Sequence, residues 1–191
     1  VALDFTDVTG VILAGGRSSR MGRDKATLLV GGSVLYGRIL SLFRQLFPAV
    51  LISGDRPDLA EAGVGIVPDV YAGSALGGLY SALQAARTPW VFVAACDMPF
   101  PDRRIIEAIL SRRSGQDLVV PRTDDGLEPL FACYRKTCLP SMQRMLEAGQ
   151  YRIYDFYDEL RARYLEQDEL PRGWRRSLLN VNTPEELRSI E

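Results

Sequence analysis

The sequence predicts a three-layer α/β/α sandwich built on a mixed, mainly parallel sheet. Short apolar runs alternate with longer stretches of helical period, the rhythm of strand followed by helix. The run at 90–95, Trp-Val-Phe-Val-Ala-Ala, is apolar on both faces, as a strand covered by two helix layers must be. The first apolar run also passes directly into glycines, the form of a ligand-binding turn at the end of a strand. At 191 residues, with 47 % apolar and 25 % charged residues, the chain suits one domain, 1–191, with a substantial core.

Gly10-Val-Ile-Leu-Ala14 reads as the first buried strand, 50–53 as the second and 65–68 as a short third. The strand at 90–95 follows, then two more at 118–121 and 130–134. Between them, 34–47 carries Leu35, Ile39, Leu42 and Leu46 at helical spacing. The stretches 76–86 and 102–113 read likewise, the second opened by Pro101-Asp102, and a helix at 137–148 stops at Gly149. A last strand is expected to end at Asn180 and Asn182. Thr183-Pro184-Glu185-Glu186 then opens a helix, with Thr as the cap and Pro at the first helical position.

Composition removes several function classes. Lys and Arg number 23 against 24 Asp and Glu, so the chain is no polycation and nucleic acid is not an expected partner. There is no histidine, which removes His-based triads, His general bases and His-containing zinc sites. The three cysteines, Cys96, Cys133 and Cys138, form no Cys-x-x-Cys pair and read as buried, reduced thiols. The longest apolar run, 90–96, is far too short to span a bilayer. The first basic residue is Arg17, so no positively charged leader precedes an apolar stretch, and a cytoplasmic location is expected.

The most informative stretch is Leu13-Ala-Gly-Gly-Arg-Ser-Ser-Arg-Met-Gly-Arg-Asp-Lys25. Gly15, Gly16 and Gly22 leave backbone N–H groups open to an anion. Arg17, Arg20, Arg23 and Lys25 against Asp24 make four basic residues and one acid, a local charge of +3 in a nearly neutral chain. A triphosphate suits that combination; a solvated basic loop is the alternative. The spacing is neither Gly-x-Gly-x-x-Gly nor Gly-x-x-x-x-Gly-Lys-Ser/Thr, so neither a dinucleotide fingerprint nor a P-loop is indicated.

This string resembles the signature of the Rossmann-like nucleotidyltransferases, and within them is most similar to the molybdenum cofactor guanylyltransferases of MobA type. The resemblance runs along nearly the whole chain. Val67-Pro68-Asp69 is similar to the family's second nucleotide-contacting segment, and Gly73-Ser-Ala-Leu-Gly-Gly-Leu79 to its Gly-Pro-Leu-x-Gly loop. In that loop this chain lacks the proline and carries one more residue. Cys96-Asp97-Met98-Pro99 matches a metal-binding Cys-Asp-x-Pro. Glu128-Pro-Leu-Phe-Ala-Cys-Tyr134 sits where the family has a Pro-Leu-x-Ala-x-Tyr strand, and Asn180-Val-Asn-Thr-Pro-Glu-Glu-Leu187 resembles its C-terminal motif.

The resemblance implies a Mg²⁺-dependent transfer of GMP from GTP to molybdopterin or Mo-molybdopterin, with pyrophosphate released. Leu13, Ala14, Gly15, Gly16, Lys25, Asp69, Gly78 and Asp97 would hold the nucleotide, and Asp97 the metal. Arg20, Lys25, Asp97 and Asn182 would carry the chemistry, with Asn180 and Asn182 on the pterin side. Nucleotide binding would fall to the N-terminal half and the pterin to the C-terminal half. There 151–176 mixes six basic and six acidic residues with Tyr151, Tyr154, Phe156, Tyr157, Tyr164 and Trp174. Molybdoenzyme-maturation proteins are further implied partners. Read on its own, each site residue has a plainer role. Asp97 before Met-Pro fits turn chemistry, Asp69 an Asx-turn, Ser74 a helix cap, Asn182 a competing cap, and 151–176 a charged amphipathic face. The rival functions are a CTP-dependent enzyme on the same pterin, a sugar-phosphate nucleotidyltransferase, and a cofactor-binding chaperone without catalysis.

Overall fold

The computed structural model describes residues 5–15, 29–30, 33–181 and 186. The first strand, β1 (Val8–Leu13), is buried along its whole length. A short antiparallel pair follows, β2 (Leu29–Val30) and β3 (Ser33–Val34), leading into α1 (Leu35–Leu46). The chain continues through β4 (Val50–Ser53), β5 (Val64–Val67), α2 (Ala75–Ala85), β6 (Trp90–Ala95) and α3 (Arg103–Leu110). Then come β7 (Leu118–Thr123), β8 (Gly126–Leu127), β9 (Phe131–Arg135), α4 (Leu139–Glu147), β10 (Ala162–Glu166) and the short α5 (Trp174–Ser177).

The main sheet has the order β10-β7-β9-β6-β1-β4-β5, with β8 paired to β7. β1 lies between β4 and β6 and is parallel to both, and β5 extends that parallel half. β9 runs antiparallel between β6 and β7, while β10 is parallel to β7 at the edge. Side chains alternate across the sheet as the pleat requires. Ile12, Phe92 and Ala94 pack with α1 and α3 residues such as Ile39, Phe43 and Ile106. Val11, Val91 and Val93 pack on the other face with Leu79, Leu83, Met142 and Leu146 of α2 and α4. These are the two helix layers around one sheet that the alternating pattern predicts.

The helices start where the sequence places signals. Asp102 caps α3 by accepting from the Arg104 N–H at 2.8 Å, and Ser74 caps α2 by accepting from the Gly77 N–H at 3.0 Å. Two features differ from expectation. β10 lies inside the stretch read as a charged amphipathic face; its Ala-Arg-Tyr-Leu-Glu sequence is that of an edge strand, half-covered, with Leu165 buried and charges at Arg163 and Glu166. The expected last strand before Asn180 is absent among the described residues; the chain there leaves α5 as an irregular segment. The helix opening at Thr183 lies outside the described residues.

Candidate active site

All parallel strands of the main sheet end on one edge, and the sequence-predicted residues gather there. Leu13 ends β1, Ser53 ends β4, Asp69 follows β5, and Gly78 lies in the first turns of α2. Ser53 joins them: its hydroxyl stands 2.9 Å from Asp69 Oδ1 and 2.9 Å from the Gly78 carbonyl oxygen. Burial raises the Asp69 carboxyl above the ordinary range, and the Ser53 hydrogen bond acts against that rise.

This corner is packed to glycine dimensions. A Cβ on Gly15 would lie 2.9 Å from Asp69 Oδ2. One on Gly78 would lie 3.0 Å from Ser53 Oγ, 3.4 Å from Asp69 Oδ1 and 3.5 Å from Leu13 Cδ2. Gly54 closes the arrangement with φ +124°, and a Cβ there would stand 2.9 Å from the Gly15 nitrogen. Ala14 N–H donates to the Ser53 carbonyl at 3.0 Å, which ties the start of the glycine loop to the end of β4. The result is a closely packed corner in which backbone and glycine faces surround one half-buried carboxylate.

Asp97 stands beside this corner, in the turn after β6. The Cys96 N–H donates to the Leu13 carbonyl at 3.1 Å, so the β6 turn is fastened to the end of β1. Asp97 Oδ1 is buried from solvent. The Val181 N–H donates to the Asp97 carbonyl at 3.0 Å, which brings the segment bearing the exposed Asn180 to the same corner. Three residues beyond Asp97, the Phe100 ring carries the Arg176 guanidinium at 4.1 Å and that of Arg38 at 5.6 Å. Two guanidinium groups here favour anionic ligands.

The structure therefore brings together Leu13, Ala14, Gly15, Asp69, Gly78, Asp97 and Asn180. Gly16, Arg20, Lys25 and Asn182 lie outside the described residues. Sequence reasoning passed over Ser53 and Gly54. Ser-Gly at the end of a strand was the available signal for both. Cys133 and Cys138 are buried, and burial pushes both thiols up to about 12, the inert condition.

A family model described as a MobA-like NTP transferase domain matches residues 10–164. The chain belongs to that family. It is a family of nucleotidyltransferases, and the glycine-walled corner at the sheet's carboxyl edge lies within the matched residues, as does Asp97. A relative named probable molybdenum cofactor guanylyltransferase, from Pelotomaculum thermopropionicum, is 38 % identical over 183 residues, which is 94 % of this chain and 89 % of the relative. The crystal structure of molybdopterin-guanine dinucleotide biosynthesis protein A from Archaeoglobus fulgidus superposes with a TM-score of 0.82 at 23 % identity, covering 96 % of each chain. That likeness establishes the shared fold. A Mycobacterium tuberculosis protein, Rv0371c, crystallised as a complex with manganese, has the same fold at a TM-score of 0.64 and 20 % identity, over 91 % of this chain and 98 % of its own. No helix among the described residues is long and apolar enough to cross a membrane.

Proposed function

We propose that the protein transfers GMP from GTP to the terminal phosphate of molybdopterin or Mo-molybdopterin, releasing pyrophosphate. The observation that carries this reading is the meeting of the glycine-walled corner and Asp97 at one edge of the sheet, in a chain related to named guanylyltransferases. The nucleotide would lie against Leu13, Ala14, Gly15, Asp69 and Gly78. The half-buried Asp69 carboxylate suits a base that presents N–H donors, as guanine does.

The residues present fit one hard divalent cation. Asp97 supplies a single buried-edge carboxylate, and the described residues contain no group of three or more carboxylate or thiol side chains able to hold a metal by themselves. Mg²⁺ is characteristically held that way, by one or two carboxylates with water and substrate phosphates completing its shell. Bound there it would offset the negative charge of the reacting phosphates. The pterin's phosphate is already anionic and needs no strong base, which suits a chain without histidine. The protein's part is then positioning and charge neutralisation. Arg20 and Lys25 would supply charge to the transferred group and to pyrophosphate, and Asn180 and Asn182 would orient the attacking phosphate. The C-terminal half would hold the pterin.

A panel of GTP, ATP, CTP and UTP, each incubated with molybdopterin and Mg²⁺, tests the reading through pyrophosphate release. GTP is expected to be used well ahead of the others. Equal use of CTP would move the protein to the cytidylyl class, and binding without release would make it a carrier.

A further inference from the structure

Two tyrosine hydroxyls meet in the interior, on the face of the sheet that α2 and α4 cover. Tyr134 is on β9, and Tyr157 opens a short 3-10 turn, Tyr157–Glu159, in the C-terminal half. Both side chains are fully buried. Their oxygens lie 2.5 Å apart, and the Tyr134 hydroxyl donates to the Pro129 carbonyl at 2.8 Å. Tyr134 has one hydrogen and gives it to Pro129, so Tyr157 supplies the hydrogen between the two rings. Burial holds both phenols well above their ordinary range, so they stay neutral and act as fixed hydrogen-bonding groups. Phenylalanine would fill the same space without the cost of taking a hydroxyl out of water.

What the Tyr134 hydroxyl holds is a turn. Pro129 and Leu130 precede β9 and lie outside its residue pairing with β6. The next carbonyl, of Leu130, accepts from the Ala95 N–H at 3.0 Å, and the Ala95 carbonyl accepts from the Met98 N–H at 3.3 Å. Asp97 lies inside the turn that this last bond closes. Tyr134 therefore reaches the Asp97 turn through one planar peptide and two backbone bonds. That link comes from the β9 side. From the other sides, the Cys96 N–H bond to Leu13 and the Val181 N–H bond to the Asp97 carbonyl fasten the same turn.

A carboxylate that holds a metal must stay within about 0.5 Å of its working place, and groups that do not touch the metal supply that constraint. We infer that Tyr134, oriented by Tyr157, is a positioning residue for Asp97. It pins the Pro129-Leu130 turn, the turn pins Ala95, and Ala95 sets the place from which Asp97 meets the metal. Neither tyrosine touches a reacting atom. The inference rests on the reading of Asp97 as the metal's holder.

The test uses the full chain as wild type, Tyr134→Phe, Tyr157→Phe and Leu146→Val. The last is a small cut into the same face of the core that leaves these bonds in place. Native-state amide exchange is followed at Ala95 and Met98, with Gly10, bonded to Ala49 on the far side of β1, as the reference. The Mg²⁺ needed for half-maximal pyrophosphate release is measured beside it. Tyr134→Phe should speed exchange at Ala95 and Met98 by about fivefold or more relative to Gly10, the effect of one lost hydrogen bond. It should raise the Mg²⁺ requirement by a similar factor, while KM for GTP at saturating Mg²⁺ holds. Tyr157→Phe keeps the bond to Pro129 and should move both readings less, in the same direction. Unchanged exchange at Ala95 and Met98 in Tyr134→Phe overturns the link and leaves Asp97 as the metal's holder. An unchanged Mg²⁺ requirement overturns the positioning role. The same shifts in Leu146→Val overturn it too, by making lost stability the cause. Wild-type turnover in Asp97→Asn removes the metal reading itself, and the exchange rates still decide the link.

Discussion

Asp97 is worth more at this corner than its single charge suggests, because three chain segments meet on its turn. Its preceding residue is bonded to β1, its own carbonyl to Val181, and Oδ1 is shut from solvent. A substitution that preserves shape should leave those backbone bonds in place and remove only the charge. Asp97→Asn is therefore expected to fold with a melting temperature near wild type and to lose turnover by about 10²-fold or more, as when a principal electrostatic stabiliser is deleted. Steady-state pyrophosphate release at saturating Mg²⁺, read beside a melting curve, checks both halves. Near-normal turnover would remove Asp97 as the metal's holder. Asp69 differs in kind: it is braced by Ser53, and burial raises its carboxyl.

At the scale of elements, α2 is the piece on which the glycine-walled corner depends. Its N-terminal turn is pressed against the loop after β5. A Cβ on Gly77 would stand 1.9 Å from the Tyr71 carbonyl oxygen, and the Val70 N–H reaches the Ser81 hydroxyl at 2.8 Å. In an isolated helix Gly→Ala would stabilise by about 1 kcal/mol. Here the neighbour is backbone, which cannot swing aside, so Gly77→Ala should destabilise by about 1–3 kcal/mol and weaken GTP binding as Asp69 is displaced. A urea midpoint at or above wild type would show that the loop yields. The glycines of this helix were legible as a motif, yet their reason was not: the Tyr71 contact joins segments whose approach only the folded sheet decides. The same holds for the strands. β1 and β6 are buried along their whole length and announce themselves, whereas β10 carries two charges in five residues and reads as a strand only once β7 lies beside it.

For the whole molecule, the acid side of the stability curve should be set largely by Asp117, where β7 begins. Its carboxylate accepts from the Arg161 guanidinium at 2.9 Å on each oxygen, from the Arg161 N–H at 3.0 Å and from the Thr137 hydroxyl at 2.7 Å. It thus joins β7 to the approach to β10 and to the turn before α4. Arg161, the largest influence, holds the carboxyl well below the ordinary range. A carboxylate lowered on folding stabilises fully above its unfolded value of about 4, and that contribution disappears as the pH falls through the folded value. Arg161→Leu should lower stability at pH 7 by an amount tempered by the exposure of the guanidinium, and the gap from wild type should narrow as the pH is taken below about 4 toward the folded value. Urea unfolding at pH 7 and pH 3 measures it; an equal gap at both would show that packing of the Arg161 stem, and not charge, is responsible. The Val181–Asp97 bond also separates two properties along the chain. β10, the last strand described, ends at Glu166, ahead of the segment that braces Asp97. A chain cut after that strand would keep every described strand of the sheet and lose the brace, so the architecture and the support of Asp97 are encoded by different stretches of sequence.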